Sequence, residues 1–338
     1  MPLLPEQRGE LSALVLAHLA GGPREVPAVD VAAPEDPIAD DDLQLALYAC
    51  YELHYQGFDG VDAEWEWEPS LLRLRRELER VFEDALMRSV GEPLDTTAPE
   101  EMDLALRAIA DADDAPPLSR VIEGRASREQ VLEFLVHRSA YQLKEADPHS
   151  FALPRLTGAP KAAAVEIQAD EYGGGRADRM HAALFAKTLR HAGLDDAYGA
   201  YLDHVPGVTL ATVNLMSLFG LHRRWRGAAA GHLALFEMSS SIPNGRYARG
   251  LRRLEFDEAA VDFFDEHVVA DAVHENIAAV DLAGGLARQD AALGADALFG
   301  ARALVHVDGR WAAHVATAWD AGVSSLRLGL AEAARSAP

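Results

Sequence analysis

The chain of 338 residues contains little cysteine and comparatively little positive charge. Cys50 is the only cysteine, which excludes an internal disulfide, a thiolate zinc site and a cysteine-bound iron–sulfur cluster. Lysine and arginine number 31 against 54 aspartates and glutamates, which gives a net charge of −23 with neutral histidine. Binding to nucleic acid through phosphate contacts needs a basic face, so we expect no nucleic-acid partner. Any metal would have to bind to histidine, aspartate and glutamate.

Long apolar runs are also missing from the sequence. No stretch approaches the roughly 20 uninterrupted apolar residues of a membrane span. The chain begins Met-Pro-Leu-Leu-Pro-Glu, without the basic start and apolar segment of a signal peptide. We therefore expect a cytoplasmic protein without a membrane partner. Hydrophobic residues make up 49% of the chain, which is enough for a large core and excludes disorder throughout.

The spacing of apolar residues predicts an all-α protein. Residues 43–55 and 70–88 carry apolar side chains at helical spacing, and an acidic loop rich in proline and glycine covers residues 21–42. A second break covers residues 91–101. The first part of the chain is therefore predicted to be a small helical arm.

Beyond this arm, nearly every segment has a helical pattern. We place the boundary so that residues 1–102 form the N-terminal helical arm and residues 103–338 form the main helical domain. A capping box of Ser127 and Gln130 opens a helix that we expect to end near Ala146.

The most informative segment is the predicted helix around His267. At about 100° per residue, His267, Asp271 and His274 fall within roughly 60° of one another on one helix face. Imidazole nitrogens and a carboxylate oxygen are ligands for iron, manganese or zinc. The same three residues also fit a solvated helix face of an acidic protein, so the triplet alone does not decide.

Three consecutive glycines, Gly173 to Gly175, separate Glu171 from His181. Each glycine costs roughly 1 kcal/mol inside a helix, so we expect a helix here to be interrupted. An ordinary loop between two helices is the alternative. His181, which begins an amphipathic stretch, is also compatible with a core histidine.

Two glutamates stand among apolar neighbours. Glu237 shares a helix face with Ala230 and Leu233, and a lone carboxylate facing a core is costly unless it is paired, neutralised or bound to a cation. Glu145 shares a face with Arg138, so a salt bridge between them is the alternative to a ligand role.

Seven residues together form a predicted metal site with balanced charge. Four carboxylates bring four negative charges, two divalent ions bring four positive charges, and three neutral imidazoles complete the set. Helical bundles that hold two irons with inward-facing glutamates and histidines use this principle. Seven unrelated surface residues are the alternative. The candidate metal ligands are Glu145, Glu171, His181, Glu237, His267, Asp271 and His274.

These motifs resemble the heme-oxygenase-like diiron oxidases, also described as iron-containing redox enzymes. The resemblance rests on the ordered spacing of the seven candidates, above all on His267-x3-Asp271-x2-His274 and Glu171-x9-His181. It implies a heme-oxygenase-like helical bundle that binds two non-heme iron ions (Fe2+/Fe3+) and no heme.

The resemblance covers about residues 105–335 and also implies a distribution of ligands. One iron would take His181, Glu237 and His267, the other Glu145, Asp271 and His274, with Glu171 near or between them.

The activity that the resemblance implies is oxidation of a small-molecule substrate with Fe(II) and O2 as co-substrate. Members that N-oxygenate tend to carry the extra carboxylate at the position of Glu171, and some carry an N-terminal helical arm. N-oxygenation of an amine or amino-acid-derived compound, with Glu171 as a catalytic residue, is therefore the favoured prediction. Oxidative C–C cleavage or hydroxylation of a fatty acid or amino acid is the alternative. An external electron donor is a further expected partner.

The segment after Glu237, residues 239–247, is predicted to end that helix. If it lines the cavity, Arg246 can hold a substrate carboxylate with two parallel hydrogen bonds, and a simple helix–helix turn is the alternative. The run Glu64-Trp65-Glu66-Trp67 is predicted to anchor the arm or to contact a second copy of the chain, and we expect a homodimer.

Two other functions stay open on the sequence. One is a non-catalytic helical scaffold or metal-binding protein whose arm mediates assembly. The other is a cofactor-independent hydrolase of the related thiaminase-like helical fold, which would need a nucleophile such as cysteine. Because Cys50 lies outside the main domain, the hydrolase is disfavoured.

Overall fold

The computed structural model of the chain describes residues 1–330, apart from the side chains of residues 271–273. Within these residues the regular structure is helical and contains no β-strand, so the predicted all-α fold is confirmed. None of the helices in this part of the chain has the length and apolar character that a membrane span needs.

The helices follow one another with short connections. The first five are α1 (Glu10–Leu19), α2 (Asp41–Glu52), α3 (Pro69–Val90), α4 (Met102–Asp111) and α5 (Leu118–Gly124). The next five are α6 (Arg128–Gln142), α7 (Asp147–Ser150), α8 (Gly158–Glu171), α9 (His181–Ala192) and α10 (Gly207–Leu221). The last four are α11 (Arg226–Arg253), α12 (Glu258–Asn276), α13 (Gly284–Gln289) and α14 (Ala291–Asp320). A π-helical segment, Ile277–Ala283, joins α12 to α13.

The long helix α11 packs against both α12 and α14. Two glycines permit its close approach to α14: a Cβ at Gly231 would overlap the carbonyl oxygen of Ala297, and one at Gly300 would overlap that of Ala228. Because backbone meets backbone at both points, no side chain can move aside. This packing fixes the position of the helix that carries Glu237.

α11 also passes through Pro243, so the prediction that residues 239–247 end this helix is wrong. Proline removes one hydrogen bond of the helical ladder. Next to this point, the Ser241 hydroxyl donates to the Val268 carbonyl of α12 at 3.3 Å. Tertiary packing therefore overrides the local preference to end the helix.

α6 begins as predicted, with reciprocal bonds between Ser127 and Gln130 at 3.2 and 2.9 Å. The helix ends before Ala146, which was the predicted end. The short helix α7 begins after a turn of residues 143–146, and Pro148 in its first turn lacks the N–H that would bond back to the carbonyl of residue 144. The interruption leaves Glu145 in a turn.

Residues of the first hundred share an apolar core with later helices. Val15, Tyr48 and Phe82 of α1, α2 and α3 lie in one buried cluster with Leu210 of α10 and Phe299 of α14. The three N-terminal helices therefore pack directly onto the bundle. The boundary at residue 102 stays a prediction.

A buried ion pair joins α2 to the turn that follows α6. The Lys144 ammonium lies 2.7 Å from a carboxylate oxygen of Glu52, and both side chains are at most 1% exposed. The Tyr198 hydroxyl donates to the same carboxylate at 2.8 Å, and the ammonium lies 4.2 Å from the centroid of the Tyr55 ring. These contacts hold the turn that contains Glu145 against α2.

The two tryptophans of the segment Ala63–Trp67 have different surroundings. Trp65 is buried, and its indole N–H donates to the Gly21 carbonyl at 2.8 Å, which fits the predicted anchoring role. Trp67 is 68% exposed. The homodimer stays a prediction.

Substitution of two glycines in α14 should have opposite effects on stability. In Gly300→Ala the new methyl group meets the Ala228 carbonyl, so we expect the free energy of unfolding to fall by about 1–3 kcal/mol. In Gly309→Ala a Cβ would lie in ordinary contact with Ala115 at 3.4 Å, and helix propensity should raise the free energy of unfolding by up to about 1 kcal/mol. Urea denaturation followed by circular dichroism measures both values. Equal stability of the two variants would contradict the close packing of α11 and α14.

Candidate metal centre

Four helices and one turn carry the predicted ligands that the structure describes. They are Glu145 in the turn after α6, Glu171 at the end of α8, His181 at the start of α9, Glu237 on α11, and His267 and His274 on α12. All six side chains are buried, with between 1% and 8% of each residue exposed. The Asp271 side chain lies outside the described residues, so its ligand role stays a prediction.

The glycine run explains how Glu171 and His181 become neighbours. Gly173, Gly174 and Gly175 have φ angles of 65°, 60° and 81°, a left-handed conformation that other residues rarely adopt. The chain therefore leaves the helical path after α8 and re-enters it at α9, as the predicted interruption requires. The Nδ1 atom of His181 lies 3.0 Å from Oε2 of Glu171.

One group of possible ligands contains Glu145, Glu171, His181 and His267. One ligand atom of each lies within 4.8 Å of those of the others. Nε2 of His267 is 3.5 Å from Oε2 of Glu145, and the ring centroids of His181 and His267 are 4.4 Å apart. Two carboxylates and two imidazoles thus converge on one point.

A second group contains Glu171, Glu237 and His274, again with ligand atoms within 4.8 Å of one another. Nδ1 of His274 lies 3.3 Å from Oε2 of Glu237. Glu171 belongs to both groups, so its carboxylate lies between two adjacent points where a cation can bind.

These distances favour a different distribution of ligands from the predicted one. The prediction placed Glu237 with His181 and His267, and Glu145 with His274. In the structure Glu145 groups with His181 and His267, and Glu237 groups with His274, so the two glutamates change places. The predicted place of Glu171 between the two positions agrees with its membership of both groups.

Several of these atoms lack hydrogen bonds that their burial would require. Buried polar atoms are nearly always satisfied, and a cation or protons between these atoms would satisfy them. Carboxylate and imidazole ligands without thiolate fit iron, and they also suit manganese or zinc. The residues therefore fit a metal centre. The buried atoms that make no well-aligned hydrogen bond are Glu145 Oε2 and the two close pairs already described, Glu171 Oε2 with His181 Nδ1 and Glu237 Oε2 with His274 Nδ1.

The electrostatics of the groups reflect the concentration of buried charge. Burial raises the pKa of Glu237, and the neighbouring carboxylate of Glu171 raises it further. Burial disfavours the charged forms of His181 and His274, but contact with Glu171 and Glu237 respectively outweighs it and raises the pKa of each histidine. Without a metal, protons on these groups offset part of the repulsion among the carboxylates.

Two histidines have partners that orient their rings. Nδ1 of His267 lies 2.7 Å from the Phe263 carbonyl, which directs Nε2 toward Glu145. Nε2 of His274 lies 3.2 Å from Oδ2 of Asp170, while its Nδ1 faces Glu237. A carboxylate on the far nitrogen commonly fixes the orientation of a metal-binding histidine.

Sequence reasoning missed Asp170 as a partner of the site. Its side chain is half exposed and it belongs to neither ligand group. Its position beside Glu171 was the only available signal, because the contact with His274 joins two helices that are distant along the chain.

A cavity of about 140 Å³ lies beside the candidate ligands. Its wall includes Glu145, Glu171, Glu237 and His267, together with Arg138. The alternative that Glu145 pairs with Arg138 is wrong, because Nη1 of Arg138 donates instead to Asp308 at 3.1 Å.

Arg246, the predicted substrate anchor, lines a different and larger cavity of about 730 Å³. Its guanidinium lies 3.3 Å from the Ser119 hydroxyl and 3.8 Å from a Glu123 carboxylate oxygen. We call the cavity beside the candidate ligands the inner cavity and this larger one the outer cavity. Arg246 does not line the inner cavity.

Cys50, the nucleophile that a hydrolase would require, is buried in α2. Burial raises the pKa of its thiol to about 12, which keeps it protonated near neutral pH. The structure thus gives no support to cysteine-dependent hydrolysis.

The helical bundle and its two buried groups of carboxylates and imidazoles together define an all-α fold with a candidate metal centre. A family model described as iron-containing redox enzyme matches residues 132–309, more than half of the chain and a range that contains every candidate ligand. The chain belongs to this heme-oxygenase-like family of iron-containing redox enzymes, as the resemblance predicted. It is therefore an oxidoreductase. Among curated proteins, none matches the chain.

Removing one histidine from each group should remove metal from one position only. We expect the unaltered chain, loaded with Fe(II) without oxygen, to bind about two ions, since the two groups offer more ligands than one ion uses. His267→Ala and His274→Ala should each bind about one ion, and the double variant almost none. Iron analysis after gel filtration measures the ratio, with His191→Ala, an exposed histidine of α9, as the control. Full occupancy of the double variant would exclude this site.

Asp170→Asn should weaken metal binding at the group that contains His274. Loss of the orienting carboxylate typically costs 10–100-fold in metal affinity, and the group around His181 should keep its affinity. Titration with Co(II), followed by its visible absorption, resolves the two positions. Asp178→Asn, an exposed aspartate outside both groups, is the control. Identical titrations of Asp170→Asn and the unaltered chain would show that Asp170 does not orient His274.

Proposed function

We propose that the chain is a non-heme diiron oxidase that uses O2 to oxidise a small organic substrate. The observation that carries this proposal is the pair of buried ligand groups that share Glu171. Fe(II) held by these groups would supply electrons for the reduction of O2 and thereby the oxidising power for the substrate.

The roles of the chain's own residues follow from the two groups. Glu145, His181 and His267 would hold one iron, Glu237 and His274 would hold the other, and Glu171 would contact both. Asp271 is proposed as a further ligand of the second iron, since it shares the helix face of the two histidines. No heme takes part in this proposal.

N-oxygenation of an amine or amino-acid-derived compound is the favoured reaction. It is supported by the position of Glu171 in both groups, because the resemblance links the extra carboxylate with transfer of oxygen to nitrogen. Oxidative C–C cleavage or hydroxylation by the same site is the alternative.

The side chains around the inner cavity would support this reaction in two ways: apolar groups limit the access of water, and polar groups supply hydrogen-bond donors. Leu233, Phe236 and Phe264 form apolar walls, while Gln142 and Asn244 add amide groups. Apolar walls keep competing water away from reactive groups.

Tyr141 adds a hydroxyl to the same wall. Burial, strengthened by the nearby carboxylates of Glu145 and Glu171, raises the pKa of Tyr141 well above its usual value. Tyr141 therefore stays protonated and can donate a hydrogen bond within the cavity.

N-oxygenation with O2 requires two electrons more than the substrate supplies, so a reductant must take part. Insertion of one oxygen atom into an N–H bond takes two electrons from the substrate. The second oxygen atom needs two more electrons and two protons to become water. We therefore include an external electron donor in the proposal, and we retain the cytoplasmic location and the homodimer as parts of it.

Glu171→Ala should retain part of its iron and lose formation of the oxygenated product, because each group keeps other ligands but the shared carboxylate is gone. Reduced protein is mixed with labelled O2 and a panel of amines, amino acids and fatty acids, and products are analysed by mass spectrometry. Glu166→Ala, an exposed residue of α8, is the control.

The products also separate the alternatives. Label on nitrogen supports N-oxygenation, and alkene or aldehyde products without it support oxidative cleavage. An iron-loaded chain that consumes no O2 would contradict the oxidase and favour a metal-binding scaffold.

A further inference from the structure

An ion pair lies between the inner cavity and the larger outer cavity. Arg138 of α6 and Asp308 of α14 line the inner cavity with the candidate ligands, and both also line the outer cavity of about 730 Å³. Among the residues described, no candidate ligand lines the outer cavity. Arg138 and Asp308 therefore lie between the outer cavity and the candidate metal centre, and Ser239, Pro243 and Tyr247 also line both cavities.

The guanidinium of Arg138 is held in place but keeps donors for another partner. It lies 4.0 Å from the centroid of the Trp311 ring, and its Nη1 donates to Oδ1 of Asp308 at 3.1 Å. The side chains of Arg138 and Asp308 are 13% and 33% exposed. A guanidinium has five N–H donors and binds a carboxylate best with two parallel hydrogen bonds. Asp308 and the side chain of Tyr247 use part of these donors, and the remaining N–H groups can serve a second carboxylate.

The two charges of this ion pair discriminate among substrate classes. Arg138 is the only lysine or arginine among the described residues that line the inner cavity. A substrate with only a carboxylate would be attracted by Arg138 and repelled by Asp308. A substrate with only an ammonium group would be attracted by Asp308 and repelled by Arg138. A molecule with a carboxylate and an ammonium group on one carbon complements both charges.

The dimensions of the cavity indicate the size of such a molecule. The volume of about 140 Å³ is below the roughly 300–1,000 Å³ of pockets for drug-sized ligands, which disfavours long acyl chains. Arg138 lines this cavity together with the candidate ligands Glu145, Glu171, Glu237 and His267, so a small molecule that binds to Arg138 lies beside the ligands.

We infer that Arg138 and Asp308 form the binding subsite for the α-carboxylate and α-ammonium groups of a free amino acid, whose side chain extends toward the metal centre. This inference rests on the proposed function, because it takes the inner cavity to be the substrate site. It assigns to Arg138 the anchoring role that the sequence suggested for Arg246.

The test measures binding of the twenty common amino acids to the zinc-loaded full chain by calorimetry, because zinc accepts the same ligands without redox chemistry. Each amino acid that binds is compared with its decarboxylated amine and its deaminated acid; for L-lysine these are 1,5-diaminopentane and 6-aminohexanoate. We expect at least one amino acid to bind, and both of its analogues to bind at least tenfold more weakly. Failure of every amino acid, or equal binding of either analogue, overturns the inference.

Variants assign the binding to the two residues. Arg138→Gln and Asp308→Asn should each weaken amino-acid binding at least tenfold. The double variant leaves neither charge unpaired, so it should fold, keep its zinc and still lose binding. Arg249→Gln, an exposed arginine of α11, should bind like the unaltered chain.

Binding by the double variant within twofold of the unaltered chain would overturn the inference. Metal content is measured separately for every sample. A chain that binds no metal contradicts the proposed function, whereas a metal-loaded chain that binds no amino acid contradicts only the subsite.

Discussion

A carboxylate that leaves water for a protein interior needs a positive partner, and three of them meet in the middle of this bundle. Glu171 groups with Glu145 on one side and with Glu237 on the other, and each of the three is at most 8% exposed. Despite burial, contact with Glu171 and Glu237 raises the pKa of His181 and His274, so protons on these rings supply part of the positive charge that a bound metal would provide. Such a cluster is costly to bury unless cations or protons compensate its charge, so the helices around it form a suitable frame for a metal centre.

The frame places its ligands largely by interrupting helices. α6 stops before a turn that leads into the proline-containing helix α7, which leaves Glu145 outside the helical register. Three glycines separate α8 from α9 and bring Glu171 back toward His181. α11, by contrast, continues through Pro243, because its close contacts with α12 and α14 are worth more than one backbone hydrogen bond. Local propensity decides where the chain turns only where packing does not oppose it.

The limits of sequence reasoning follow the same division. Helical periodicity relates side chains on one helix, so the common face of His267 and His274 could be predicted, and the glycine run announced the break before His181. The choice of partner across helices could not be predicted, because it depends on how separate elements pack. The grouping of Glu145 with His267 depends on the position of a turn over α12, and the contact of Asp170 with His274 joins α8 to α12. Arg138 likewise pairs with Asp308 of α14 and not with Glu145.

The N-terminal helices also take part in placing the ligands. A buried ion pair such as Lys144–Glu52 adds little net stability compared with apolar residues of the same size, but loss of one partner leaves a charge uncompensated in the core. The pair therefore permits only arrangements in which α2 and the turn after α6 stay together. Because Glu145 is the next residue after Lys144, the same restriction limits where its carboxylate can lie. We interpret the ion pair as a device of specificity that makes the arm part of the support of the metal centre.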